Sequence, residues 1–232
     1  FGSVSELNTY PMAITSAGAI LSYVKDTQFS DLPHLRPPSL LIKAKTMTLD
    51  AVTLRNLEIV KTIGDSSKDT LFAILNRTST AGGSRKLKDW LLRPLHDLKK
   101  LNERHEAVQE LFDNTLSRRE IKDILKGFQD VERLVSRLGH GSISPRDLDS
   151  LRISLNTLKD LKQFLSEEPL KSKLMKRLVK SIDTHKQVSK KLEEALVEEP
   201  PLVLRDGGIF KKGYSKELDD LRARASSGRE WV

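Results

Sequence analysis

Apolar positions return every three or four residues through most of this chain, the spacing of amphipathic helices. Ala13 to Gln28 reads as the first, with Ala17, Ile20, Leu21 and Val24 as its stripe. Pro33, Pro37 and Pro38 then predict an extended linker, because each fixes φ and restricts the residue before it. Leu40 to Leu49 reads as a short extended or strand segment with Met47 and Leu49 on one face. Asp50 is a suitable N-cap for a short helix carrying Leu54, Leu57 and Ile59. A polar turn at Gly64–Lys68 and a helical piece at Thr70–Asn76 follow. Beyond Thr80 and the pair Gly82–Gly83, a helix runs through Leu87, Trp90 and Leu91 to a stop at Pro94.

The second half is more strongly patterned. Leu98, Leu101, His105, Val108, Leu111 and Phe112 form one stripe; Ile121, Leu125, Val131, Leu134 and Leu138 continue it to Gly139 and Gly141. Ser144-Pro145-Arg146-Asp147 is the clearest helix start. Ser144 suits the cap, Pro145 the first helical position, and Asp147 the third, where a carboxylate meets the positive helix end. Leu148, Leu151, Leu155, Leu158 and Leu165 then repeat for about three heptads, ~30 Å of helix. Glu167–Pro169 breaks it. A second long helix is predicted from Leu170, Leu174, Leu178, Ile182, Leu192 and Leu196, packed antiparallel on the first. Pro200 and Pro201 end it. Leu202–Leu204 and Ile209–Phe210 read as a hairpin around Asp206-Gly207-Gly208. Ser215 caps a last helix with Leu218, Leu221, Ala225 and Val232 in its stripe. The expected fold is mainly α: an elongated bundle of long amphipathic helices with a short β-hairpin or strand pair.

Composition narrows the function classes. The 232 residues are 38% apolar, 31% charged and 5% aromatic, with 40 Lys and Arg against 32 Asp and Glu and no Cys. Cys-based zinc sites, thiol nucleophiles and a disulfide scaffold are excluded. No apolar run nears the roughly 20 residues that span a bilayer, so no membrane partner is expected. The chain starts at Phe1, no signal peptide follows, and the last helix has no stop, so an internal piece of a longer protein is expected.

Candidate chemistry is sparse. Gly82-Gly83-Ser84-Arg85 lacks the Lys of a phosphate loop and reads as a helix-entry turn. Gly139 and Gly141 lack the third glycine of a dinucleotide site, since Ser144 stands there. No two of His34, His96, His105, His140 and His185 share the spacing of a zinc-binding helix. No carboxylate pair or nucleophile-elbow serine emerges. Catalytic, cofactor-binding and metal residues are therefore none. Lys173, Lys176, Arg177 and Lys180 fall on one side of a helix, opposite Leu174, Leu178 and Ile182. They suit either a solvated face or a contact to phosphates or an acidic partner. Arg85, Lys86, Lys88 and Arg93 make a second basic cluster. Trp90 reads as a core anchor beside Leu87 and Leu91 rather than a ligand-stacking ring.

Four strings carry a family resemblance: TLDAVTLRNLEI at 48–59, TLFAILNRTSTAGGSRKLKDWLLRPL at 70–95, DVERLVSRLGHGSISPRDLDSL at 130–151 and PPLVLRDGGIFKKGYSKELDDLR at 200–222. In this order they resemble the helical core, or lever, region of the MutS family of DNA mismatch-repair proteins. The resemblance implies residues 1–32 as the end of a connector, 33–214 as the core and lever, and 215–232 as the truncated start of a helix leading to a DNA clamp. It implies a cytoplasmic, homodimeric whole protein that binds mismatched double-stranded DNA and uses ATP and magnesium. Neither the mismatch-reading Phe-x-Glu motif nor the nucleotide motifs occur here, so this region is expected to be non-catalytic. The matching residues Asp50, Arg55, Asn56, Arg85, Trp90, Pro94, Asp147, Gly207 and Gly208 are implied to be scaffold and joint residues. The residue pattern alone leaves open an autonomous basic nucleic-acid-binding module, or a helical protein adaptor that would expose Leu148 and Leu158.

Overall fold

A computed structural model describes residues 9–28 and 46–229. The predicted proline linker, the first half of the 40–49 segment, and Val232 lie outside the described residues. Eleven α-helices are found among them: α1 Pro11–Gln28, α2 Ala51–Asn56, α3 Leu71–Leu75, α4 Ala81–Leu92, α5 Leu98–Asp113, α6 Thr115–Leu125, α7 Val131–Gly139, α8 Pro145–Glu167, α9 Lys173–Ser181, α10 Lys186–Ala195 and α11 Lys216–Arg229. The described residues fall into two compact units. One takes residues up to Asn76 with Lys86–Leu101 and Val135–Ser142; the other takes Arg77–Arg85, Asn102–Leu134 and Ile143 onward.

In the first unit, caps set the short helices. Asp50 Oδ1 accepts the Thr53 N–H at 2.7 Å. Thr70, wholly buried, accepts the Ala73 N–H at 3.2 Å. Between them the chain turns tightly: Glu58, Asp65 and Asp69 all adopt positive φ. Phe72 N–H returns to the Ile59 carbonyl at 2.9 Å. Met47 N–H donates to the Pro94 carbonyl at 2.7 Å, and Thr46 forms an isolated antiparallel bridge with Leu95.

The second unit holds the larger core. Ser144 and Asp147 form the expected capping box, closing α8 with bonds of 3.1 and 3.0 Å. Leu165 of α8 packs with Ala107 of α5 and Met175 of α9, joined by Leu111, Ile121, Leu161 and Leu174. Leu151 and Leu155 pack with Leu134 and, at the margin, Val131 and Leu192. Burial of a Leu side chain stabilises by roughly 1.5–3 kcal/mol, so these clusters, more than helix propensity, hold α8 in place.

Four expectations are corrected. The second long helix is two, α9 and α10, separated at Ile182–His185. The Asp183 carboxylate accepts the His185 N–H at 2.9 Å, and His185 takes a left-handed φ of 44°. Such a side-chain-to-backbone bond competes with helix continuation. The hairpin does not form, and no strand is found among the described residues. Leu204–Asp206 curls into a 3-10 turn, and Leu202–Leu204 stay exposed. Phe210 instead bridges Leu196, with Lys211 N–H on the Ala195 carbonyl at 2.9 Å and Val197 N–H on that of Ile209 at 3.0 Å. Leu196 and Ile209 become buried this way, whereas an isolated two-stranded ribbon has no face to bury. Trp90, expected in the core, stays 37% exposed. Ile20 and Leu221, assigned to stripes, are also exposed.

Candidate functional site

The second unit is organised around α8, a 23-residue rod on which α6, α9 and α10 pack. The chain from α9 to α10 runs back along it. Leu165 clusters with Met175, Lys162 Nζ donates to the Ile182 carbonyl at 2.5 Å, and Asn156 meets α10. Partner numbers rise as α8 numbers fall, which is an antiparallel course. Asn156, at the middle of α8, is the hub of the contact with α10. Its Nδ2 donates to Glu193 at 2.9 Å, and its Oδ1 accepts the Ser189 hydroxyl at 3.0 Å.

From α10 the contacts pass onward. Lys211 Nζ donates to the Glu193 carbonyl at 2.7 Å, and the Leu196–Phe210 bridge lies beside it. Arg222 of α11 donates to the Phe210 carbonyl at 3.2 Å, and Asp219 accepts the Gly213 N–H at 2.6 Å. Ser215 caps α11 through the Leu218 N–H at 3.3 Å. One continuous set of contacts therefore leads from α11 through the 209–213 segment and α10 to α8.

Just beyond the C-terminal end of α8, Glu110 of α5 accepts the N–H groups of Lys171 and Ser172, the latter at 3.0 Å. Burial pushes the Glu110 carboxyl up, but these donors and the Ser172 hydroxyl outweigh it and hold the group below its usual range. Glu168 accepts from the Ser117 hydroxyl, tying the end of α8 to α6. The α6–α7 turn is seated on α8 as well. Ser154, wholly buried, accepts the Gln129 N–H at 3.1 Å and donates to the Ser150 carbonyl at 2.8 Å. A Cβ on Gly127 would lie 2.9 Å from Thr157 Oγ1, so that approach requires glycine.

The Arg85 guanidinium binds both oxygens of Asp130 at 2.9 and 2.8 Å and Glu132 at 2.6 Å. This arginine bond, opposed by partial burial and aided by the Arg133 N–H, holds the Asp130 carboxyl below its usual range. Arg85 is raised in turn. Lys86 and Arg93 pair with Asp89, so most of the second basic cluster is neutralised.

The other residues singled out in the sequence are dispersed. Asp50 caps α2; Arg55 and Asn56 end it, both exposed. Arg55 borders a hollow of about 450 Å³ with Leu54, Val60 and Ile63. Pro94 supplies the carbonyl for Met47, and Asp147 closes the α8 capping box. Gly207 and Gly208 have φ of 69° and 67°, the left-handed region in which Cβ is strained. On α9, Lys173, Lys176, Arg177 and Lys180 are all exposed, and Arg177 pairs with Glu103 at 3.0 Å. Leu178 stays 49% exposed, leaving Met175 as the buried residue of α9 with Leu174, Val179 and Ile182 packed around it.

Sequence reasoning missed Asn156, Lys162, Glu110 and Glu168, which join helices across long separations. Their only sequence trace is a polar residue beside an apolar stripe. None of these groups forms a nucleophile–base pair. Among the described residues, no three His, Asp or Glu side chains converge to hold a metal ion. No Gly-Lys-Ser/Thr triple occurs in the sequence. No described helix is long and apolar enough to cross a membrane.

Residues 52–229 match the family model described as MutS domain III. Among curated relatives, the DNA mismatch repair protein MutS of Methanosarcina acetivorans is 39% identical over 224 residues, covering 95% of this chain and 25% of the relative. That of Alkaliphilus oremlandii is 38% identical over 222 residues, covering 95% and 25%. That of Pelotomaculum thermopropionicum is 38% identical over 237 aligned positions, covering 100% and 27%. The chain spans about a quarter of the length of these relatives.

Proposed function

Because this chain belongs to the MutS family, as its domain III, we propose that it is the non-catalytic lever of a DNA mismatch-repair protein. In this reading it mechanically couples the binding of mismatched duplex DNA to a nucleotide site elsewhere in the whole protein. ATP and magnesium belong to that other part, and the working unit is a cytoplasmic homodimer. Residues 1–32 end a connector, 33–214 are core and lever, and α11 starts the arm toward the DNA clamp. Asp50, Arg55, Asn56, Arg85, Trp90, Pro94, Asp147, Gly207 and Gly208 serve as scaffold and joints.

One observation carries the reading: the uninterrupted contacts from α11 through Phe210, Lys211 and Asn156 into α8. Packed helices have two discrete arrangements more readily than graded ones, so displacement at one end is passed on rather than absorbed. An adaptor that displays its Leu ladder has no support, since Leu148 and Leu158 are half-buried.

The test uses the whole protein. Leu155→Gly removes a core contact of α8 and weakens the helix. Stimulation of nucleotide exchange by a mismatched duplex is expected to fall, with binding of each ligand alone retained. Full stimulation in a folded variant overturns the reading.

A further inference from the structure

A hollow of about 390 Å³ lies between α8 and α10, lined by Asn156, Lys159, Thr184, Lys186, Ser189, Lys190 and Glu193. Its charge is lopsided: three lysines from two helices line it with one acidic residue. That carboxylate is already engaged, because Glu193 accepts from Asn156 at 2.9 Å. Among the described residues Lys159 and Lys186 have no ion pair, and Lys190 has only an exposed partner, Glu194, at 3.7 Å. Like charges gathered around a concavity repel unless an anion sits among them.

We propose that this hollow binds the phosphodiester backbone of duplex DNA without regard to sequence. The lining chemistry selects that ligand. Lysine ammonium groups are compact, hydrated point charges that suit phosphate oxygens. No aromatic ring lines the hollow to stack a base, which argues against a free nucleotide or an unpaired strand. No apolar anchor lines it either, which an acidic peptide would need for most of its affinity. The α9 lysines differ: all come from one face of a single helix, whose Arg177 is already paired with Glu103, whereas the hollow gathers lysines from two helices. The contact is auxiliary and weak, on the order of 10⁻⁴–10⁻⁶ M near physiological salt, and it does not rest on the lever reading.

Three phosphate contacts release counterions with a log–log salt slope of about −2.7, an affinity loss of about 40-fold between 50 and 200 mM salt. The test is fluorescence anisotropy of the 232-residue chain with a labelled, fully paired duplex across that range. Three proteins are compared: wild type, Lys159→Ala/Lys186→Ala/Lys190→Ala, and Lys173→Ala/Lys176→Ala/Lys180→Ala. All six lysines are exposed, so circular dichroism is expected to be unchanged. The α8–α10 triple variant is expected to lose about 2.7 of the slope, the α9 triple variant little, and the Lys→Arg triple at the hollow none. Inorganic phosphate at matched ionic strength is expected not to displace the duplex. The proposal is overturned if the duplex does not bind, if the α9 variant alone loses the slope, or if millimolar phosphate competes through the hollow, which would make it a free-anion site.

Discussion

At the scale of single residues, polar groups tie helices to neighbouring helices and turns around the apolar clusters. Gly127 is the sharpest steric case. A methyl there meets Thr157 Oγ1, whose hydroxyl is committed to the Ile153 carbonyl at 3.0 Å and whose side chain is buried. Gly127→Ala is expected to cost about 1–3 kcal/mol in urea unfolding, as overpacking does; an unchanged midpoint would place the α6–α7 turn elsewhere. The Arg85–Asp130 pair makes a prediction about acid. The folded Asp130 carboxyl lies below its unfolded range, so its contribution is present above roughly pH 4 and is lost as pH falls through the folded value. Glu110 acts in the same direction. Wild type should therefore lose stability between neutral and strongly acid pH. In Arg85→Ala that loss should be smaller, because Asp130 then titrates nearer its unfolded value. Equal acid sensitivity in the two proteins would contradict this.

At the scale of elements, what was legible in the sequence is what local chemistry decides. Asp50, Thr70, Ser144 with Asp147, and Ser215 mark their helix starts because a cap is a contact over three residues. The Leu ladder of α8 was legible because a rod buried along one side must repeat. The α9–α10 break was written in the sequence as a gap in the stripe. Between Ile182 and Leu192 the only apolar side chain is Val188, and Asp183, Thr184 and His185 are poor helix formers. The hairpin failed for the opposite reason: its turn residues were right, but strand choice depends on what can be buried, and the end of α10 offered Leu196. Asn156, Lys162 and Glu110 were illegible, since their partners lie 20 to 62 residues away. The break yields its own prediction. His185→Gly relieves a left-handed φ of 44° and should raise unfolding stability by about 1 kcal/mol. A loss of stability would mean that the histidine side chain, not the backbone turn, defines the joint.

At the scale of the whole molecule, the contacts in the second unit form a route with few branches. α11 meets the 209–213 segment, that segment meets α10, and α10 meets α8 at Asn156. A route of this kind has a testable property: weakening its hub lowers communication more than it lowers either binding event. The measurement is the ratio of mismatched-duplex affinities with and without bound nucleotide, in the whole protein, for wild type and Asn156→Ala. Coupling of this sort is typically 5–150-fold. In Asn156→Ala the ratio is expected to move toward one while nucleotide affinity and protein fold are kept. A wild-type ratio in a variant whose α8–α10 contact is demonstrably broken would contradict this expectation.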